Sequence, residues 1–123
     1  KLTPKKLIPK IVGVGNQHHV QPKVMSISQS TEVGTVYSKE ELKALSQVAK
    51  DYGLYFHMDG ARISNAAVAL GLPFREFTRD IGLDVLSFGG TKCGLLGAEA
   101  VVFFNSQVSR FSLSQKTGDA VSF

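Results

Sequence analysis

The stretch SKEELKALSQVAKDYGLYFHMD, residues 38–59, sets the fold class, because one periodicity ends in it and another begins. Ser38 and Glu41 have the S-x-x-E spacing of a capping box, in which a side-chain oxygen and a carboxylate satisfy the backbone N–H groups that open a helix. Leu42, Leu45, Val48, Ala49 and Tyr52 then fall on one helical stripe, while Lys39, Glu40, Lys43, Gln47 and Lys50 fall largely off it. Gly53 suits a left-handed stop. The spacing therefore predicts a helix with one buried face, followed by a short, mostly buried strand over LYFHMD that ends at Asp59.

Working outward, KVMSISQS sets Val24, Ser26 and Ser28 against Met25 and Ile27, the alternation of a strand ending near Gln29 or Ser30. GARISNAAVALGL is a small-residue segment that can be helical until Gly71 and Pro73. FREFTRDIG reads as a short amphipathic helix, DVLSF as a strand, GGTKCG as a glycine-rich turn, and EAVVFF as an apolar strand able to pair beside it. Alternating strands and helices with apolar strands predict an α/β layered fold, a sheet covered by helices. Residues 1–23 show little continuous periodicity. The length, 123 residues, is room for one domain with one core.

Composition narrows the class. At 43% hydrophobic and 20% charged residues the chain resembles a soluble globular protein, and no apolar run approaches the ~20 residues of a membrane span. Lys1, Lys5, Lys6 and Lys10 alternate with prolines and never give way to an apolar core, so no signal peptide is expected. The single cysteine, Cys93, excludes an internal disulfide framework and a multi-thiolate metal site, in keeping with a reducing, cytoplasmic compartment. The net charge of +4 arises from a leader with no acidic residue before Glu32, not from a stripe with interleaved aromatics, which argues against nucleic-acid binding. His18, His19 and His57 lack metal-ligand spacing and read as surface or supporting groups. GVGNQH, from Gly13, lacks the third glycine of a dinucleotide fingerprint, and GGTKCG lacks the end of a P-loop. No elbow motif accompanies Ser87, which argues against a hydrolytic pairing with Lys92.

Chemistry concentrates in HMDGAR (57–62) and SFGGTKCG (87–94), each after a strand. Asp59, Arg62 and Lys92 need partners where a buried strand stops, and by spacing alone an Asp–Arg or Asp–Lys ion pair closing the core accounts for them as well as catalysis does. The residue types match the needs of pyridoxal phosphate (PLP). Lys92 supplies an amine, burial and nearby cations being what activates one; Asp59 is a carboxylate that keeps a pyridine nitrogen protonated; and Arg62 is a guanidinium for a substrate carboxylate. Gly89, Gly90 and Thr91, with Ser87, offer backbone approach and hydroxyls to a phosphate.

The runs SISQSTEVGTVYS, HMDGARISNAAVALG and SFGGTKCGLLGAEAVVFF, in that order, resemble the low-specificity threonine aldolases of PLP fold type I. The resemblance covers nearly the whole chain and weakens over the basic start and after Phe104. It implies a Schiff-base lysine at Lys92, a pyridinium partner at Asp59, a substrate-carboxylate ligand at Arg62, and phosphate contacts from Thr91 and Ser87. The implied reaction is retro-aldol cleavage of a β-hydroxy-α-amino acid to glycine and an aldehyde, in a homo-oligomer with sites between subunits. Where the family pattern has asparagine after the lysine this chain has Cys93, for which inert packing is expected. Family members are much longer, so residues 1–123 are expected to be the central part of the large PLP-binding domain, without its N-terminal part and the small C-terminal domain. A different PLP lyase or an aminotransferase on the same fold, or a non-catalytic truncated chain, are the alternatives.

Overall fold

The computed structural model describes residues 1–12, 15, 17–18, 21–94 and 96–109, together with the backbone but not the side chain of Cys93. The expectations for Gly13, His19 and the packing of Cys93 lie outside what is described. A four-stranded sheet has the order β1 (Val24–Ser28), β2 (Tyr55–Gly60), β3 (Val85–Gly89), β4 (Glu99–Phe103). β1, β2 and β3 run parallel, and β4 closes the edge antiparallel to β3. The connections are helical: α2 (Lys39–Asp51) joins β1 to β2, and α3 (Ile63–Leu70) leads from β2 toward β3.

The helix expected over the opening stretch is present with its capping box, Ser38 Oγ accepting from the Glu41 N–H at 3.1 Å and Glu41 accepting from the Ser38 N–H at 2.9 Å. Gly53 has φ +66°, the left-handed stop expected of it. Leu42, Leu45, Val48 and Ala49 are buried, whereas Tyr52, assigned to the same stripe, is 41% exposed because the last turn has already unwound to a cap there. α3 ends on Gly71 at φ +65°, as its sequence requires.

Three expectations are corrected. Among the described residues the sheet is covered on one face: Met25, Ile27, Phe56, Met58 and Leu86 are buried with α2, Ile63, Ala66, Phe77 and Ile81, while the opposite face carries exposed or half-buried Val24, Ser26, Tyr55, His57, Asp59 and Ser87. β2 is therefore alternating rather than mostly buried, and β4 is exposed along its length. FREFTRDIG forms two 3-10 turns, Phe74–Phe77 and Arg79–Ile81, because the Thr78 hydroxyl donates to the Phe74 carbonyl at 2.6 Å and the backbone leaves the helical region at Thr78. The basic leader is not wholly irregular: Thr3 caps a turn, α1 (Pro4–Leu7), and Leu2, Leu7 and Ile11 pack against the core while Lys5, Lys6 and Lys10 stay exposed.

The opposite edge is locked by Asp84. Its carboxylate accepts from the Phe56 N–H at 2.7 Å and from Asn105 Nδ2 at 2.8 Å, and its carbonyl accepts from the Phe104 N–H, so one residue ties β2 and the end of β4 to the start of β3. Because β1, β2 and β3 are parallel, their carboxyl ends share the other edge, where the loops carrying both polar motifs must gather.

Candidate functional site at the carboxyl edge of the sheet

Two glycines bring those loops together. A Cβ on Gly60 would lie 2.9 Å from Leu86 Cδ1, 3.0 Å from the Ser87 carbonyl oxygen and 3.3 Å from Ile63 Cβ, so only a residue without a side chain lets the end of β2 lie this close to β3 and the start of α3. A Cβ on Gly89 would meet Ala61 Cα at 3.1 Å, so the loop after β2 rests on the last residue of β3. The two motifs, roughly 30 positions apart in sequence, thereby share one edge of the sheet.

Asp59, next to last in β2, lies on the open face. One carboxylate oxygen accepts from the Ala61 N–H at 2.9 Å, a turn that fixes the rotamer, and the Asp59 carbonyl accepts from the Gln29 N–H at 2.9 Å. Ser87 is its register partner on β3. Both line a shallow depression of about 440 Å³ with His57, Gly89 and Glu99. Lys92 and Thr91 are exposed in the 3-10 turn Thr91–Cys93 just past β3 and do not line that depression, and Arg62 is half-buried at the cap of α3. The burial expected around the Lys92 amine is not provided by the described residues. Among the described residues, Asp59, Arg62 and Lys92 form no ion pair, so the core-closing Asp–Arg or Asp–Lys bridge does not form. The Gly90 N–H is donated to the Ala98 carbonyl at 2.7 Å, which leaves that glycine close approach, not a donor, to offer an anion.

Two further residues shape this edge: Gln29, given no role from the sequence, and His57, read there as a surface or supporting group. Gln29 is fully buried and pairs with both backbone groups of Tyr37, its amide nitrogen donating to the carbonyl and its amide oxygen accepting from the N–H, each at 2.9 Å. That staple closes the loop 30–36 beside the end of β1. His57 lies across the open face, Nδ1 2.7 Å from Ser26 Oγ and Nε2 2.8 Å from Ser87 Oγ. Partial burial holds its imidazole below the ordinary histidine range, with the negative charge of Asp59 opposing. The period-two alternation placing His57 and Asp59 on one face of β2 was the available signal. Among the described residues no group of histidine, cysteine and acidic side chains is arranged to hold a metal ion, and no helix is long and apolar enough to cross a membrane.

The fold is a mixed sheet with helical crossovers, and the chain belongs to the beta-eliminating lyase family, whose model it matches over residues 1–122. It is 47% identical over 109 residues to a low specificity L-threonine aldolase of a Pseudomonas species, covering 89% of this chain and 32% of that protein. The enzyme of the same name from Pseudomonas aeruginosa is 46% identical over the same share. The structure of Leishmania major threonine aldolase superposes with a TM-score of 0.80 at 30% identity, over 95% of this chain and 35% of that one. The chain thus spans about a third of the length of the relatives it matches.

Proposed function

We propose that residues 1–123 are the central part of the PLP-binding domain of a threonine aldolase that cleaves β-hydroxy-α-amino acids to glycine and an aldehyde. The observation that carries this reading is the shared edge: Gly60 and Gly89 hold the end of β2 against β3, so that Asp59, near the end of β2, and the turn bearing Lys92, just past β3, lie at the same edge of the sheet. Similarity to threonine aldolases over 89% of the chain supports the substrate class.

The residues fit the cofactor. Asp59 offers a carboxylate whose rotamer is fixed by one backbone bond and which has no ion-pair partner among the described residues, the arrangement an N–H⁺ of a heteroaromatic ring requires. Lys92, exposed beyond β3, supplies the amine for covalent attachment. Thr91, with Gly89, Gly90 and Ser87, forms the polar strand end and turn available to the rest of the group, and the Thr91 hydroxyl is the donor for its phosphate. Bound PLP supplies the electron sink for the pair released when the substrate Cα–Cβ bond breaks.

The protein's own part is orientation and charge. The Arg62 guanidinium pairs with the substrate carboxylate, fixing which bond at Cα is presented for cleavage. The Asp59 carboxylate, held by the Ala61 N–H, keeps a proton on the ring nitrogen. The substrate β-hydroxyl gives up a proton, the aldehyde departs, and Cα takes up a proton to leave as glycine. The family resemblance supports a homo-oligomer with sites shared between subunits, and the single cysteine, Cys93, is in keeping with the cytoplasm.

The test is borohydride reduction of the complete protein carrying this chain, incubated with PLP, followed by peptide mapping and assay of glycine and aldehyde from threonine. Reduced cofactor on Lys92, its loss in Lys92→Ala and equimolar glycine and aldehyde are expected. Label on another lysine removes the assignment, and ammonia with a keto acid in place of glycine points to β-elimination.

A further inference from the structure

His57 is the least expected part of the depression. Its register partner on β1 is Ser26 and on β3 is Val85, yet the ring does not simply face outward: Nε2 reaches past Val85 to Ser87, the partner of Asp59. Nδ1 is held at the same time by Ser26 at 2.7 Å. The imidazole therefore spans β1, β2 and β3 on the open face and touches the residue beside the acid. A neutral imidazole carries one N–H and one lone pair, so one serine must accept from it and the other must donate to it. Both hydroxyls, free to rotate alone, are fixed as a chain.

We infer that His57 is a positioning residue of this site: anchored from β1 by Ser26, it holds the Ser87 hydroxyl through Nε2 and so fixes the wall on which Asp59 meets a bound ligand. This rests on the PLP reading above. Ser87 and Asp59 are neighbours across β2 and β3, roughly 4.8 Å apart along the hydrogen-bonding direction, and any flat ring held by the carboxylate must lie against the serine as well. A Ser87 hydroxyl turning freely would compete as a donor for that carboxylate; tied to His57 it presents one orientation. The other acids near the ring are Asp59, on its own strand, and Glu99, which lines the depression from β4. Burial disfavours the charged form of the imidazole, against the pull of Asp59, and so works against a cation that would compete with a protonated ring nitrogen for that carboxylate.

The test compares His57→Asn, His57→Gln, Ser87→Ala and the His57→Asn/Ser87→Ala double variant in the complete protein. PLP affinity is read by fluorescence titration, and the His57 ring nitrogens by NMR before and after cofactor addition. His57→Asn and Ser87→Ala should each weaken PLP binding about tenfold, the effect of one hydrogen bond to a site group, and the double variant should be no weaker than either. The longer amide of His57→Gln, which reaches the Nε2 position, should restore most of the affinity, and the ring-nitrogen resonances should move when cofactor binds. Additive losses, no rescue by glutamine and unmoved resonances would mean that His57 merely clamps strands, and would overturn the inference while borohydride capture at Lys92 persists. Absence of that capture in the unaltered protein would instead remove the cofactor reading, and this inference with it.

Discussion

Gly60→Ala isolates the contact on which the site depends. Gly60 ends β2 outside the positive-φ region, so alanine meets no backbone strain there, and its effect on the folded state is steric. Of the atoms its Cβ would crowd, Leu86 Cδ1 at 2.9 Å can swing aside, but the Ser87 carbonyl at 3.0 Å belongs to β3 and Ile63 Cβ at 3.3 Å to the first turn of α3. Relief requires β2 and β3 to part at their carboxyl ends. Overpacking of this kind costs about 1–3 kcal/mol, and with two of the three atoms unable to swing aside the upper part, about 2–3 kcal/mol, applies; the stiffer unfolded chain offsets about 0.4–1 kcal/mol, a net loss of roughly 1–2.6 kcal/mol. Urea unfolding should register it as a midpoint lowered by roughly 1 M. PLP affinity should fall with it, because Asp59 and Ser87 are displaced together. Gly53→Ala is the control: at φ +66° with no atom within 4 Å, it should lose roughly 1 kcal/mol through backbone strain and leave cofactor binding untouched. A Gly60→Ala protein as stable as the original, or destabilised without loss of affinity, would refute the close-approach argument.

Gln29→Ala should cost about 2–4 kcal/mol in urea unfolding, because the buried Tyr37 N–H and carbonyl both lose their partner; a loss under about 1 kcal/mol would show water replacing the amide. Glu41 is held below its ordinary value of 4.5 by its bond to the Ser38 N–H and then by Lys1. A lowered folded-state pKa gives stability present above about pH 4.5 and lost as the pH falls through the folded value, so Glu41→Gln should flatten the acid limb of the stability profile measured between neutral pH and pH ~3. Asp59→Ala should weaken PLP binding and lower threonine cleavage by about a hundredfold or more, whereas full turnover would contradict an electronic role for the carboxylate.

Much of the fold was legible because local chemistry and periodicity agree along the chain. Ser38 with Glu41, the stripe from Leu42 to Ala49, the alternation of Val24–Ser28 and the glycines at 53 and 71 each name their own conformation within a few residues. FREFTRDIG was misread because its spacing is helical while the Thr78 hydroxyl, bonded to Phe74, breaks the ladder; composition cannot choose between those outcomes. The one-sided burial of the sheet was equally hidden, since whether an apolar strand is covered depends on chain elsewhere.

For the candidate site, the sequence by itself determined the chemical repertoire: a carboxylate at the end of one strand with a guanidinium after it, an amine in a glycine turn after another, and the order of the motifs that carries the family. Tertiary structure alone decided adjacency. Parallel pairing of β1, β2 and β3 sends their ends to one edge, and Gly60 and Gly89 close the gap between them. The same register lets His57 reach two serines lying 31 positions before it and 30 after it. Linear spacing carries no information about such a contact, because it is set by which residues a strand places opposite one another, and that is known only once the strands have paired.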